Sequence, residues 1–520
     1  MRPLLASLAA LSVLAVAACG QPDKPADPAA AAAAAGAEAH KIDWREGDVE
    51  DAFAEAAEAN KPVLLYWGAV WCPPCNQLKA GLFQDPEFVA RTRDFIPVYL
   101  DGDSKGAQAW GQRFGIKGYP TLIVLRPDRT EITRLSGGGD PEKVEAVLKA
   151  AQRGGPNASE LLQRALADPG RLSADDWTLL SEYGWAVDAG RLVKPDEATG
   201  VLERLARAAP TLILQHRFAL AALAQRPKDA PALPAARQAE VRALLDAVLS
   251  SPAEVRANRG ALIYSGVDVI KAAAPAGPER ARLSAALIQA LDRVYDDATL
   301  GTQDRLSTTY ADIAVFRAQA GKDAAVPTAL RDKVRQRAAW ADQSAKTAYE
   351  RQSTISTAAN LLSEAGDKTG AEALLTAELQ KSKTPYYYMP ELADLAEARG
   401  DKAAAVDWLR KGYETAEGPA TRAQWGVLYV DGLIRLTPRD KTVIETAAGQ
   451  VIGELSGQPD SYHQRTRQRF DTLGKSLTDW SRANNGAAVL ERLRGRIAEA
   501  CAAQTDADAR AACQSWLKPA

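Results

Sequence analysis

Cys72 and Cys75 stand two residues apart in Trp71-Cys72-Pro73-Pro74-Cys75, with two prolines between them. Two thiols at this spacing can close on one another and trade a disulfide with a second dithiol. They could also form half of a metal site or a structural staple. A metal site needs about four ligands. The three histidines, His40, His216 and His463, all lie far from the pair in sequence, and a proline-locked pair adapts poorly to a metal. A structural disulfide this short is strained. Redox exchange is therefore the reading carried forward, with no metal and no cofactor expected. No Ser/His/Asp set, phosphate loop or carboxylate constellation stands out elsewhere.

A useful thiol must be ionised, so its surroundings have to favour the anion. Residues 62–68, PVLLYWG, form a continuous apolar run of strand length, as a strand buried on both faces should. A helix is expected to open at Cys72, where unpaired amides and the helix dipole favour negative charge. Pro73 and Pro74 suit the first helical turn because their missing N–H groups cost little there. They also leave the Cys75 N–H as the donor to the Cys72 sulfur. Around this junction helices are expected over 49–60, 86–95, 107–114 and 141–151. Strands are expected over 62–68, 96–100, 121–125 and 131–135. That alternation predicts an α/β unit over residues 42–154, a mixed sheet flanked by helices.

Within that unit, WCPPC at a strand-to-helix junction, Gly118-Tyr119-Pro120-Thr121 before the third strand and Gly137 after the last strand together resemble the thioredoxin family, especially its envelope branch. The resemblance covers about a fifth of the chain. It implies that Cys72, at an exposed helix tip, is the nucleophile and that Cys75, one turn further in, is the resolving thiol. It also implies a cis Pro120. Tyr119 and Pro120 would then offer an edge to an extended client strand, with Trp71 as the apolar shoulder. Many members carry a buried Asp six residues before the first cysteine, where this chain has Tyr66. The matching lysine position of the next strand is Pro97. The usual relay acid is therefore missing, and Tyr66 or a water is the candidate to serve in its place.

Residues 1–18 read as a secretory signal: one positive charge at Arg2, then an apolar run of small residues. Val16-Ala17-Ala18-Cys19 resembles a bacterial lipobox, which implies lipidation at Cys19 and a membrane anchor. The other reading is cleavage after Ala15-Val16-Ala17. Residues 19–41 are an Ala/Pro-rich tether, which as a coil would reach about 25 Å. With Gly20 after the lipidated residue, the resemblance implies an outer-membrane lipoprotein facing the periplasm, in the cell envelope. The net charge of −2 gives no electrostatic footprint for nucleic acid.

After Gly154-Gly155-Pro156 no strand pattern recurs, and residues 156–520 are expected to be α-helical and solenoid-like. LLSEAGDKTGAEALL (361–375) recurs as LAEARGDKAAAVDWL (395–409), with Gly366 and Gly400 34 residues apart. This resembles tetratricopeptide repeats, most clearly over 355–420. In TPYYYMPELADL (384–395) two readings stand: a groove for client peptides, or inter-repeat packing with a few exposed tyrosines. Trp177, Trp185, Trp340, Trp425 and Trp480 are expected to anchor helix–helix contacts. Cys501 and Cys513 are expected to form a structural disulfide across a helical hairpin, worth about 3 kcal/mol in the chain-entropy model.

The expected function is a lipid-anchored periplasmic thiol–disulfide oxidoreductase, leaning to reductase or isomerase. It would act on protein thiols or disulfides and exchange with an unidentified electron donor or acceptor, its helical region docking a client or partner. The alternative is an assembly scaffold whose thioredoxin-like head is non-essential or redox-sensing.

Overall fold

The computed structural model describes residues 41–517 apart from 47–48, 139, 153, 228–229 and 459–460. The signal segment and Cys19 lie outside the described residues, as does nearly all of the tether. The α/β part runs α1 (Val49–Ala59), β1 (Val63–Gly68), α2 (Pro73–Ala80), α3 (Pro86–Thr92), β2 (Ile96–Asp101), α4 (Ala107–Phe114), β3 (Thr121–Leu125), β4 (Glu131–Ser136) and α5 (Pro141–Ala151). The strands lie in the order β2-β1-β3-β4. β1 is parallel to β2 and antiparallel to β3, and β3–β4 is an antiparallel hairpin.

β1 is buried along its whole length, as its unbroken apolar run requires. Its side chains alternate between two cores. Val63, Leu65 and Trp67 pack with α1, while Leu64 and Tyr66 face the core that holds Cys72 and Cys75. Pro97 is tolerated because β2 is the outer strand of the four. Asp85 and Asp140 cap α3 and α5, each followed by a proline at the first helical position.

Beyond Pro156 the described chain is helical to Ser515. The repeat seen in the sequence is a pair of helical hairpins, Ala348–Glu364 with Lys368–Leu379 and Met389–Ala398 with Lys402–Thr415. Gly366 and Gly400 turn the chain at φ +84° and +85°, values that L side chains resist. Asp367 and Asp401 then cap the second helices by accepting from the amides of Gly370 and Ala404. Ala371 and Ala405 are fully buried where the helices touch. Cys501 and Cys513 are disulfide-bonded, with Cα atoms 5.6 Å apart. Trp177, Trp185, Trp425 and Trp480 are buried, and half-buried Trp340 packs edge-on to Tyr295.

From Ile42 onward the described residues form one compact unit. The core under the cysteine pair continues without a break into the helical part. Two helices of that part even have their N-termini capped by the α/β part. The helix Pro419–Leu436 begins at Gly418, which has no side chain to offer, and Asp103 takes the role. Its carboxylate accepts from the Thr421 amide (2.8 Å) and hydroxyl (2.5 Å). A Cβ on Gly418 would fall 2.4 Å from the Asp103 carboxyl carbon. The helix Gln464–Asn484 is met similarly, with Gln112 and Gln108 side-chain oxygens accepting from the amides of Gln464 and Arg465.

Candidate active site

Cys72 is the N-cap of α2, with Pro73 and Pro74 filling the first turn. Its Sγ accepts the Cys75 amide hydrogen at 3.3 Å, the donor that the two prolines leave. The two cysteines are disulfide-bonded, Cα–Cα 5.2 Å. On reduction, the same amide and the helix N-terminus favour a thiolate at Cys72 over one at Cys75. The Tyr119–Pro120 peptide is cis. β3 starts opposite Trp67 of β1, which brings Pro120 to the end of the strand that leads into the cysteine loop. Thr121 Oγ1 donates to the Gly118 carbonyl, and the Gly137 amide, at φ +83°, donates to the Pro120 carbonyl.

The exposed helix tip expected for Cys72 is not what the structure has. Cys72 is 2 % exposed, Cys75 fully buried and Trp71 8 % exposed. The cause is the helical part, which closes over the loop. Trp71 Nε1 donates to Thr421 Oγ1 (2.8 Å), and Gln352 Nε2 donates to the Trp71 carbonyl (2.8 Å). Gln352 Oε1 in turn accepts from Ser382, Thr384 and Tyr388. Tyr387 stacks on the Trp71 ring at 5.9 Å, Trp425 meets it edge-on at 5.2 Å, and the Arg465 guanidinium lies over it at 4.7 Å. Trp71 is thus a clasped residue and not an open shoulder. The tyrosine cluster is neither free groove nor exposed surface. Tyr386 and Tyr388 are buried, and Tyr387 packs on Trp71 of the cysteine loop.

Tyr66 does not suit the relay. Burial pushes its phenol far up, with Asp101 adding to the effect, and its hydroxyl has no hydrogen-bond partner in the protein. A phenol in that state neither takes nor passes a proton at neutral pH. It stacks on Tyr99 at 5.3 Å instead. The polar group on this face is Asp101, which accepts from Tyr99 Oη at 2.8 Å, while half-buried Lys79 donates to the same hydroxyl at 3.4 Å. Burial pulls the Lys79 ammonium down and Asp101 opposes it. On the helical side, burial pushes Asp103 up to about 6 against the pull of its Thr421 bonds.

What remains open beside the cysteines is a cavity of about 470 Å³, lined on one wall by Trp71, Cys72, Pro73, Pro74, Gly118 and Tyr119 and on the other by Tyr387 and the helix Gln464–Asn484. Across the two prolines lies a larger cavity of about 920 Å³, between α5 and the helices that follow. The residues that the sequence did not disclose here, Gln352, Thr421, Arg465 and Arg469, sit some 280 to 400 positions from the cysteines. The aromatic run at 384–395 was the one visible pointer to that wall.

Residues 49–152 match the family model of the thioredoxin-like domain. The chain is 32% identical over 96 residues to thioredoxin of Alicyclobacillus acidocaldarius, covering 18% of this chain and 87% of that one. It is 29% identical over 110 residues to thiol:disulfide interchange protein DsbD 1 of Pseudomonas aeruginosa, covering 20% of this chain and only 19% of that protein's length. A solution structure of a thioredoxin from Thermus thermophilus matches 21% of this chain and 86% of that one at 23% identity, with a TM-score of 0.19. The chain belongs to the thioredoxin family. With its cysteine pair at disulfide distance, it is a thiol–disulfide oxidoreductase.

Proposed function

We propose that the chain is a lipid-anchored enzyme of the periplasm that exchanges disulfides with protein thiols through Cys72 and Cys75, leaning to reduction or isomerisation. Residues 42–154 are its catalytic part. Residues 156–520, tetratricopeptide-like over 355–420, are the part that admits or docks a client. The observation that carries the chemistry is the Cys72 sulfur at a helix N-terminus, facing the Cys75 amide with cis Pro120 alongside. The apolar leader and the cysteine at position 19 support the anchor and the compartment. Cys72 thiolate attacks a client disulfide, and Cys75 then resolves the mixed disulfide.

The test is a Cys75→Ala chain expressed with its leader. Mixed disulfides on Cys72 should accumulate in the envelope fraction and vanish in the Cys72→Ser, Cys75→Ala double variant. Absence of any Cys72-linked species would count against the reading. A second reading, a scaffold whose thioredoxin-like head senses redox state, draws support from the clasp on Trp71 by Gln352 and Thr421. It is favoured if Cys72→Ser leaves the cellular phenotype intact while removal of 355–420 abolishes it.

A further inference from the structure

The cavity at Cys72 is sorted by charge. Among its lining residues Lys117, Arg465 and Arg469 are cationic, and none is acidic. Arg465 and Arg469 stand one turn apart on the same helix, and neither makes a salt bridge among the described residues. Arg465 lies over both Trp71 (4.7 Å) and Tyr119 (4.8 Å), the residues that precede Cys72 and Pro120. Arg469 is half-buried, and desolvation together with the nearby Arg465 charge lowers its pKa, with Asp431 opposing. Two neighbouring guanidiniums in a partly desolvated wall, with no carboxylate in salt-bridge contact and Asp431 acting on Arg469 only at longer range, gain from an anion that joins them. Arginine forks fit carboxylates in particular.

Size points the same way. With Cys72 nearly buried, a folded protein's disulfide cannot reach the sulfur unless the helical part moves. A cavity of about 470 Å³ lies in the range that accepts a small molecule.

We propose that this cavity binds a small carboxylate-bearing thiol or disulfide, of di- or tripeptide size, with Arg465 and Arg469 as its carboxylate-binding groups, and that this couple is the electron donor or acceptor of the Cys72–Cys75 pair. The proposal rests on the thiol–disulfide reading of the same site. In one direction the Cys72 thiolate attacks one sulfur of the small disulfide. A Cys72–substrate disulfide forms, the substrate S–S bond breaks, and one thiolate leaves. Cys75 gives up its proton to solvent, and its thiolate attacks the Cys72 sulfur. The second thiolate is released and the Cys72–Cys75 bond closes. Two electrons pass from the protein dithiol to the small disulfide, and the reverse sequence reduces the protein.

The experiment is single-turnover oxidation of the pre-reduced full chain, followed by alkylation and mass, with two probes. One is oxidised glutathione, which carries carboxylates on both halves. The other is bis(2-hydroxyethyl) disulfide, which is neutral. The ratio of the two rates should fall about tenfold or more in Arg469→Gln, the range of one charged hydrogen bond. It should recover in part in Arg469→Lys, weaken with added salt, and stay put in Arg482→Gln on the same helix. The guanidinium over the Trp71 ring is that of Arg465, so replacing Arg469 leaves that contact and the Gln352 and Thr421 bonds of the clasp in place. As an independent readout, Cys72 of the Cys75→Ala chain should lose reactivity toward iodoacetate relative to iodoacetamide when Arg469→Gln is added. Unchanged ratios in both assays overturn the proposal while leaving the redox reading intact. Failure of both disulfides to oxidise the pre-reduced wild-type pair overturns the redox reading, and the proposal with it.

Discussion

The Cys72 sulfur has one backbone donor, the Cys75 amide, because Pro73 and Pro74 have none to give. That much was legible from five consecutive residues, since a helix start and its orphan amides are local properties. Tyr66 was legible as a position but not as a role. Its sequence neighbours do not reveal that its hydroxyl is sealed without a partner beside Tyr99. Tyr66→Phe should therefore keep disulfide exchange at neutral pH within about threefold of wild type. It should leave stability unchanged or slightly raised, because removing a buried unsatisfied hydroxyl recovers up to about 1–3 kcal/mol of desolvation. Exchange kinetics from pH 6 to 9 and urea unfolding check this. A loss of rate confined to the resolving step would restore Tyr66 as a proton carrier.

At the scale of elements, the strands and helices around the cysteines followed from local pattern, with boundaries close to those expected. β1 is a continuous apolar run, and α3 and α5 open on Asp-Pro. The clasp did not follow, because its partners are joined only through the folded chain. Thr421 is 350 positions from Trp71, and Asp103 caps a helix that starts more than 300 residues later. No periodicity or capping rule links an aspartate to a helix so distant.

That cap has a pH signature. Burial raises the Asp103 carboxyl from 3.8 to about 6. The folded state therefore holds this proton more tightly than the unfolded state, and its stabilising contribution is full below about 3.8. It is lost as pH rises through about 6, by about 3 kcal/mol in all for a shift of about two units. Urea midpoints of wild type and Asp103→Asn measured from pH 4 to 7.5 should converge or cross over this window. A pH-independent difference would show that the carboxyl does not titrate there.

For the whole molecule, the α/β part and the helical part are bound by charge as well as by apolar core. Arg259, its side chain nearly buried, reaches Asp140 at 2.8 Å and Glu142 at 3.1 Å on α5, and Asp304 at 3.3 Å on the helical side. Gln77 of α2 donates to the same Asp304. Removing the guanidinium leaves the largely buried Asp140 and Asp304 without their cation, while Glu142 keeps Arg256, so Arg259→Ala should cost about 3 kcal/mol. Since both parts share one core, they should lose that stability together in a single transition, read by tryptophan fluorescence and by far-UV circular dichroism. Separation of the two signals in the wild-type chain would mean two independent domains.

On this reading Cys72–Cys75 is the working redox pair and Cys501–Cys513 a structural bond. The most direct test is to equilibrate the folded chain in dithiothreitol buffers of graded potential, alkylate, and read each cysteine pair by mass. Cys72 and Cys75 should open together in one two-electron step, because the helix N-terminus stabilises the reduced form of Cys72. Cys501–Cys513 should still be closed at that potential. Opening of Cys501–Cys513 first, or a Cys72–Cys75 bond that yields only when the protein unfolds, would contradict it.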